Sequence, residues 1–154
     1  MKVSWISCRI AVDDKAGSGT KDRLFLGIMG GEGEEWSLGD QGYETGKSYR
    51  FLIGSAPDPI AKDPNRPNEI VVRLGRIRRV KDYVQGVGRN IYLRKHEGTS
   101  DTDDDSLLLK DVEVEVHSEP TDTPHAMHVA FLGGYRLSRA VGEWVWLGEG
   151  QYNS

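Results

Sequence analysis

The chain has 154 residues, which is enough for a single domain whose core needs no disulfide staples. Its formal net charge of −4 at pH 7 argues against a general nucleic-acid binder. Hydrophobic residues make up 37% of the chain and charged residues 29%, as in an ordinary globular domain. The one cysteine, Cys8, excludes an intrachain disulfide.

No stretch of the sequence reads as a targeting or membrane-spanning segment. The N-terminal residues Met-Lys-Val-Ser-Trp lack the apolar run of a signal peptide, and no segment approaches the ~20 apolar residues of a membrane span. We therefore expect, by default, a cytoplasmic protein or one that lies on a membrane surface.

Alternation with period two, which is typical of strands lying on a core, recurs along the chain. The first predicted strand, Val3–Val12, turns Ile6, Cys8, Ile10 and Val12 inward, and the Gly-rich acidic turn Asp13–Asp22 follows it. Proline cannot donate to a sheet ladder, so the proline-rich Ala56–Asn68 is predicted to be a long loop. Further strands are predicted at 23–29, 35–38, 48–53, 69–80, 90–95, 107–117, 125–132 and 143–147.

The 19 glycines and the regular turn signals favour many short strands, and no amphipathic helix of useful length is present. The sequence therefore predicts an all-β fold, a two-sheet antiparallel β-sandwich of about eight to ten strands.

The order of several short motifs resembles the PLAT (LH2) domain, a β-sandwich module of lipoxygenases, pancreatic-type lipases and polycystins. A second block, Asn90–Lys95 followed by an acidic loop and Leu107–Val116, is similar to that family's closing strand pair. The resemblance covers Val3–Val116, and 117–154 are expected to complete or extend a single domain spanning 1–154. The residues that carry the first block are Gly19, Thr20, Asp22, Leu24, Leu26, Trp36, Leu38, Tyr43, Glu44 and Gly46.

The resemblance implies a non-catalytic binding module for protein–protein or membrane/lipid association, with calcium as a candidate ligand. A first calcium set would comprise the Gly19 carbonyl, Asp22, Asp40 and Glu44, and a second would comprise Asp103, Asp104 and Asp105. Lys21 departs from the family pattern because it stands where the family has an aspartate. The alternative is that both acidic turns are simply solvated.

A basic stretch offers a docking surface for an anionic lipid or protein partner; its members are Arg73, Arg76, Arg78, Arg79, Lys81, Arg89, Arg94 and Lys95. Each basic group near an anionic membrane contributes ~1 kcal/mol, screened within a Debye length. The alternative is a charged outer sheet face, since alternation sends neighbouring side chains to opposite sides. The candidate docking residues are Arg76, Arg78, Arg79, Lys81 and Arg89. The two acidic turns carry no aromatic residue, which favours a protein partner over deep lipid insertion.

Two further readings of the sequence stay open. Trp144 and Trp146 alternate along the last predicted strand, and exposed aromatic faces on β-sandwiches bind sugars, so the alternative function is a carbohydrate-binding module. Catalysis has little support, because no Gly-x-Ser-x-Gly elbow is present and Cys8 lies within a strand. His125 and His128, three residues apart in a strand and without a cysteine, do not predict zinc.

Overall fold

The structure is a computed structural model that describes residues 3–29, 33–80, 90–96, 106–118, 127–138, 144–149 and 151–152. These residues form strands and connections, and none of them belongs to a helix with the length and hydropathy needed to cross a bilayer. The strands are β1 (Val3–Val12), β2 (Arg23–Met29), β3 (Glu34–Ser37), β4 (Ser48–Gly54), β5 (Ile70–Arg73), β6 (Asn90–His96), β7 (Leu107–Ser118), β8 (Met127–Leu137), β9 (Trp144–Glu149) and β10 (Gln151–Tyr152).

The ten strands form two sheets, which confirms the predicted all-β sandwich. The larger sheet has the order β10-β8-β7-β1-β4-β5, and the smaller has the order β3-β2-β6-β9. One pair departs from the predicted antiparallel arrangement: β4 and β5 are parallel, with Tyr49 opposite Ile70. The reason is the long connection between them, which carries the chain back to the end of the sheet where β4 begins.

The core lies between the sheets and follows the predicted alternation. Ile6, Cys8 and Ile10 of β1 are fully buried, and their register partners on β7 are Val116, Val114 and Val112. On the smaller sheet, Leu26 of β2 lies opposite Leu93 of β6, and both are fully buried. Burial of such side chains contributes roughly 1.5–3 kcal/mol each and is the main term that holds the sheets together.

Most predicted strands differ from the structure by one or two residues at an end, and two differ by more. The strand predicted over Glu69–Val80 is wrong beyond Arg73, because its partner β4 ends at Gly54 and the chain turns away. The strand predicted over His125–Leu132 instead runs from Met127 to Leu137, because β7 is long enough to pair with it as far as Leu137. The extra strand β10 has only two residues and was not predicted.

The proline-rich connection 55–69 is fixed on the outer face of the larger sheet. Arg9 of β1 lies beneath it, with Nε 3.3 Å from Glu69 Oε2, a charge contact whose angle is too poor for a hydrogen bond. Arg9 also lies 3.9 Å from Asp63 and 3.5 Å from Glu113 of β7. Arg50 of β4 donates to the carbonyl of Ala61. The connection is therefore a cover over charged strand residues.

Candidate functional site

The arginine segment, defined as residues 74–80, leaves the end of β5 and passes beside the smaller sheet. Its apolar residues turn inward: Val80 is fully buried, and Leu74 and Ile77 pack against the core. Its basic residues Arg76, Arg78 and Arg79 are all exposed. The spacing of the apolar residues thus fixes the backbone and leaves three of the five predicted docking residues facing solvent.

A carboxylate from β3 holds the backbone of the arginine segment. Glu34 Oε1 accepts hydrogen bonds from the amides of Arg78 at 2.9 Å, Arg79, and Val80 at 3.2 Å, and Oε2 accepts from Arg78 at 3.1 Å. Amide hydrogen bonds to an ionised acceptor are stronger than neutral ones. Glu34 is therefore the main polar anchor that the structure shows for this segment.

The three arginines differ from most of the other arginines that the structure describes. Arg9, Arg66, Arg73 and Arg94 each lie within 4.0 Å of a carboxylate oxygen. Arg76, Arg78 and Arg79 form no ion pair with any carboxylate in the described part of the chain. Their positive charges face solvent and are accessible to an anionic partner.

These arginines line a surface cavity of about 450 Å³ together with Glu34, Glu35 and Trp36. Met29, an exposed apolar residue with 49% of its surface accessible, follows Ile28, the register partner of Glu34. In the part of the chain that the structure describes, this end of the smaller sheet therefore combines arginines that have no ion-pair partner with an exposed apolar side chain.

The other basic residues of the predicted docking stretch do not all belong to this surface. Lys81 and Arg89 lie outside the described residues. Arg94 binds Glu35, with Nη2 2.6 Å from Oε1, and its guanidinium lies 4.3 Å from the ring centroid of Phe25. Lys95 is fully buried. Alternation along β6 thus separates two neighbouring cations, one on the outer face and one inside.

Arg94 also shifts the pKa of Glu35 on the outer face of the smaller sheet. Its hydrogen bond to Glu35 lowers the pKa of that carboxyl below its usual range, against the opposing effect of burial. Tyr92 donates from its hydroxyl to Glu35 Oε2, and burial, with this hydrogen bond, raises the pKa of Tyr92 to about 12. Glu35 is therefore anionic and already engaged at neutral pH.

The loops that carry the first predicted calcium set do meet. Thr20 and Tyr43 exchange backbone hydrogen bonds of 2.8 and 2.7 Å, and the Gly19 amide donates to Thr45 Oγ1 at 3.2 Å. A Cβ at Gly19 would lie 2.3 Å from the carbonyl oxygen of Tyr43, so this close contact requires glycine. The packing of the two loops explains Gly19 without a metal.

The carboxylates of that set do not converge. Asp22 Oδ2 lies 2.6 Å from Lys95 Nζ, and both side chains are almost fully buried. Glu44 is paired with Lys47, and Asp40 is exposed. Within the described ranges, no three His, Cys, Asp or Glu side chains are placed to hold a metal ion. Asp22, Asp40 and Glu44 therefore do not fit a calcium site in this arrangement.

The second predicted set, Asp103, Asp104 and Asp105, lies outside the described residues. The strand that follows it in sequence is placed: the amide of Leu108 donates to the Ser18 carbonyl at 2.9 Å, and the amide of Asp13 donates to the Leu108 carbonyl at 3.0 Å. The start of β7 thus adjoins the turn 13–22. Calcium binding by the second set stays a prediction.

The sugar-binding alternative also stays a prediction. The register places Trp144 opposite Arg94 and Trp146 opposite Tyr92, but the side chains of both tryptophans lie outside the described residues.

Cys8 is a buried apolar residue, as predicted, and burial raises the pKa of its thiol to about 12. A thiol of that kind is inert at neutral pH.

Sequence reasoning missed Glu34. It selected the arginines by their charge, but the acid that positions them lies 44 to 46 residues earlier in the chain. The available local signal was weak: Glu34 precedes an alternating run with Trp36 inward, which places Glu34 on the same side as Trp36.

Comparison with known proteins identifies the fold. Neither a protein-family model nor a curated protein matches the chain. Among solved structures, the chain is similar to a LOX variant, Delta413-417:GS I805W, with a TM-score of 0.54 and 13% identity over 96% of this chain and 16% of that chain. It is also similar to alpha-toxin from an avian strain of Clostridium perfringens, with a TM-score of 0.51 and 16% identity over 90% of this chain and 31% of that chain.

The chain thus spans less than a third of the length of the solved chains that it matches. At these identities the likeness shows the fold alone. This fold agrees with the resemblance to the PLAT (LH2) domain that the sequence motifs indicate. The chain has a PLAT/LH2-like β-sandwich fold.

Proposed function

We propose that the chain is a non-catalytic module that associates with an anionic membrane surface through the arginine segment. The observation that carries this proposal is the placement of Arg76, Arg78 and Arg79, which are exposed, adjacent, and without an ion-pair partner in the described residues. Nearby exposed Met29 adds a shallow apolar contact. The PLAT-like fold is compatible with this role.

The mode of association is peripheral and electrostatic. Three basic groups near an anionic leaflet contribute ~1 kcal/mol each, which together correspond to roughly a hundredfold in the partition coefficient. Since the Debye length is about 8 Å at physiological ionic strength, this attraction falls steeply as salt is added. One half-exposed methionine gives too little apolar area for deep insertion.

The test is co-sedimentation with vesicles of phosphatidylcholine, with and without phosphatidylserine, at low and high salt. The combined Arg76→Gln, Arg78→Gln and Arg79→Gln variant should lose roughly a hundredfold in partitioning onto the anionic vesicles. The matched control is Lys15→Gln, Lys21→Gln and Lys62→Gln, which changes the net charge equally at exposed sites away from the segment.

The control should lose far less binding than the arginine variant. Equal losses would show that net charge, not the arginine segment, drives association. Failure of the unmodified protein to sediment with anionic vesicles at low salt would remove the membrane proposal.

A further inference from the structure

We propose that Glu34, an acidic residue, is required for binding at the basic surface because it positions the arginine segment. This inference rests on the proposed function and deepens it. The carboxylate of Glu34 accepts hydrogen bonds from three successive amides, those of Arg78, Arg79 and Val80. It acts on the backbone that carries the arginines, so it is a positioning residue and does not itself contact the membrane.

The connection of Glu34 to the rest of the fold makes it a suitable anchor. It is the first residue of β3, and β3 is fixed to β2 by the register Ile28 opposite Glu34 and Leu26 opposite Trp36. The arginine segment belongs to neither sheet: its last strand hydrogen bonds are those of Leu74 to Leu52 and Gly54 to Gly75. Glu34 thus joins an irregular segment to a strand of the smaller sheet.

Electrostatics alone predicts the opposite effect of removing Glu34. Removal of a negative charge from a basic surface should tighten binding to an anionic membrane by about fivefold, the equivalent of ~1 kcal/mol per charge. Loss of the Glu34 carboxylate also frees three amides, after which Arg78 and Arg79 no longer share one fixed orientation. We expect the loss of positioning to outweigh the gain in charge.

Glu35 provides a charge-matched control one residue away. Its carboxylate binds the side chains of Tyr92 and Arg94, and no hydrogen bond joins it to the backbone of the arginine segment in the described structure. Glu35→Ala removes the same charge as Glu34→Ala from the rim of the same cavity. Only Glu34→Ala removes the anchor of residues 78–80.

The experiment compares the partitioning of the two variants onto phosphatidylserine-containing vesicles. Glu34→Ala should bind at least about fivefold more weakly than the unmodified protein, while Glu35→Ala should bind equally well or up to about fivefold more tightly. Glu34→Gln keeps one acceptor oxygen and should fall between Glu34→Ala and the unmodified protein. Tighter binding by Glu34→Ala, in line with Glu35→Ala, would overturn the inference.

A second readout is independent of the membrane. Amide hydrogen exchange followed by NMR at Arg78, Arg79 and Val80 should be about tenfold faster in Glu34→Ala, because each amide loses a charge-assisted hydrogen bond, and unchanged in Glu35→Ala. Unchanged exchange in Glu34→Ala would contradict positioning even if binding fell. If exchange rises but the unmodified protein binds no vesicles, the proposed function fails, and the binding role of Glu34 fails with it.

Discussion

At the residue scale, Gly27 shows how the outer face of the smaller sheet is built. Gly27 of β2 lies opposite both Glu35 of β3 and Tyr92 of β6, and the ring of Tyr92 lies across it. A Cβ at Gly27 would come within 1.9 Å of Tyr92 Cζ. Tyr92 cannot easily move aside because its hydroxyl is bound to Glu35. The glycine is required by a side chain, not by its own backbone angles.

Gly27→Ala should therefore destabilise the fold by about 1–3 kcal/mol, the usual cost of overpacking. Gly75→Ala is the matched control, because no atom lies within 4 Å of a Cβ built there, and its effect should stay within about 0.5 kcal/mol. Urea unfolding at equilibrium measures both values. Equal effects of the two substitutions would mean that Tyr92 does not occupy the space above Gly27.

Among the elements, β1 and β7 carry charged and aromatic residues on their outer face. Glu115 of β7 lies opposite Ser7, and His117 lies opposite Trp5 in the same register. The rings of Trp5 and His117 stack at 3.7 Å, and His117 Nε2 lies 3.1 Å from Glu115 Oε2. The hydrogen bond with His117 is the first cause that lowers the pKa of Glu115 to about 2, from an ordinary value of 4.5.

This depressed pKa gives a signed prediction for acid stability. The folded protein holds the ionised carboxylate better than the unfolded chain does, so the stabilisation is fully present above pH 4.5 and is lost as the pH falls through about 2. Its size is on the order of 2 kcal/mol. Unfolding by urea should show that the unmodified protein loses more stability over this range than Glu115→Gln does.

Glu44→Gln serves as the control for that experiment, because its side chain is 66% exposed and lies far from β7 in sequence. This variant keeps the contact between Glu115 and His117, so the loss of stability at low pH that this contact causes should remain. A parallel pH dependence for Glu115→Gln and the unmodified protein would show that Glu115 is not held as an anion in the fold.

The elements also show what the sequence could and could not predict. The limits of β1 were predicted to the residue, and the inward face predicted for β1 was correct, because alternation is a local signal. The cover formed by 55–69 was predicted only as a loop. Its contacts join Arg9 to Glu69 and Glu113, residues far apart in the chain, and no local pattern encodes such pairs.

The same limit applied to the site. The charge of Arg76, Arg78 and Arg79 was visible in the sequence, and their exposure followed from the inward turn of Ile77 and Val80. Lys95 was grouped with these arginines, but strand alternation places it beside Ile91 and Leu93 on the buried side of β6. Its partner Asp22 lies 73 residues away, and the sequence alone could not indicate that pairing.

On the scale of the whole molecule, the buried pair changes what calcium can do. An ammonium group already neutralises Asp22 inside the fold, and to break such a buried pair by removing one partner costs roughly 3–5 kcal/mol. A calcium ion that recruited Asp22 would have to displace Lys95 at a comparable cost. Of the two predicted calcium sets, the first would therefore require the Asp22–Lys95 pair to be broken.

Calcium, if it binds, should accordingly act through Asp103, Asp104 and Asp105. Thermal unfolding in calcium and in chelator tests this: a ligand at 100 times its dissociation constant stabilises by ~2.7 kcal/mol, which raises the melting temperature. We expect the shift to persist in the Asp40→Asn, Glu44→Gln double variant and to vanish in the Asp103→Asn, Asp104→Asn, Asp105→Asn variant. A shift abolished by the first variant would mean that Asp40 and Glu44 bind calcium and that the first set is the site. The absence of any shift in the unmodified protein would show the calcium prediction to be wrong.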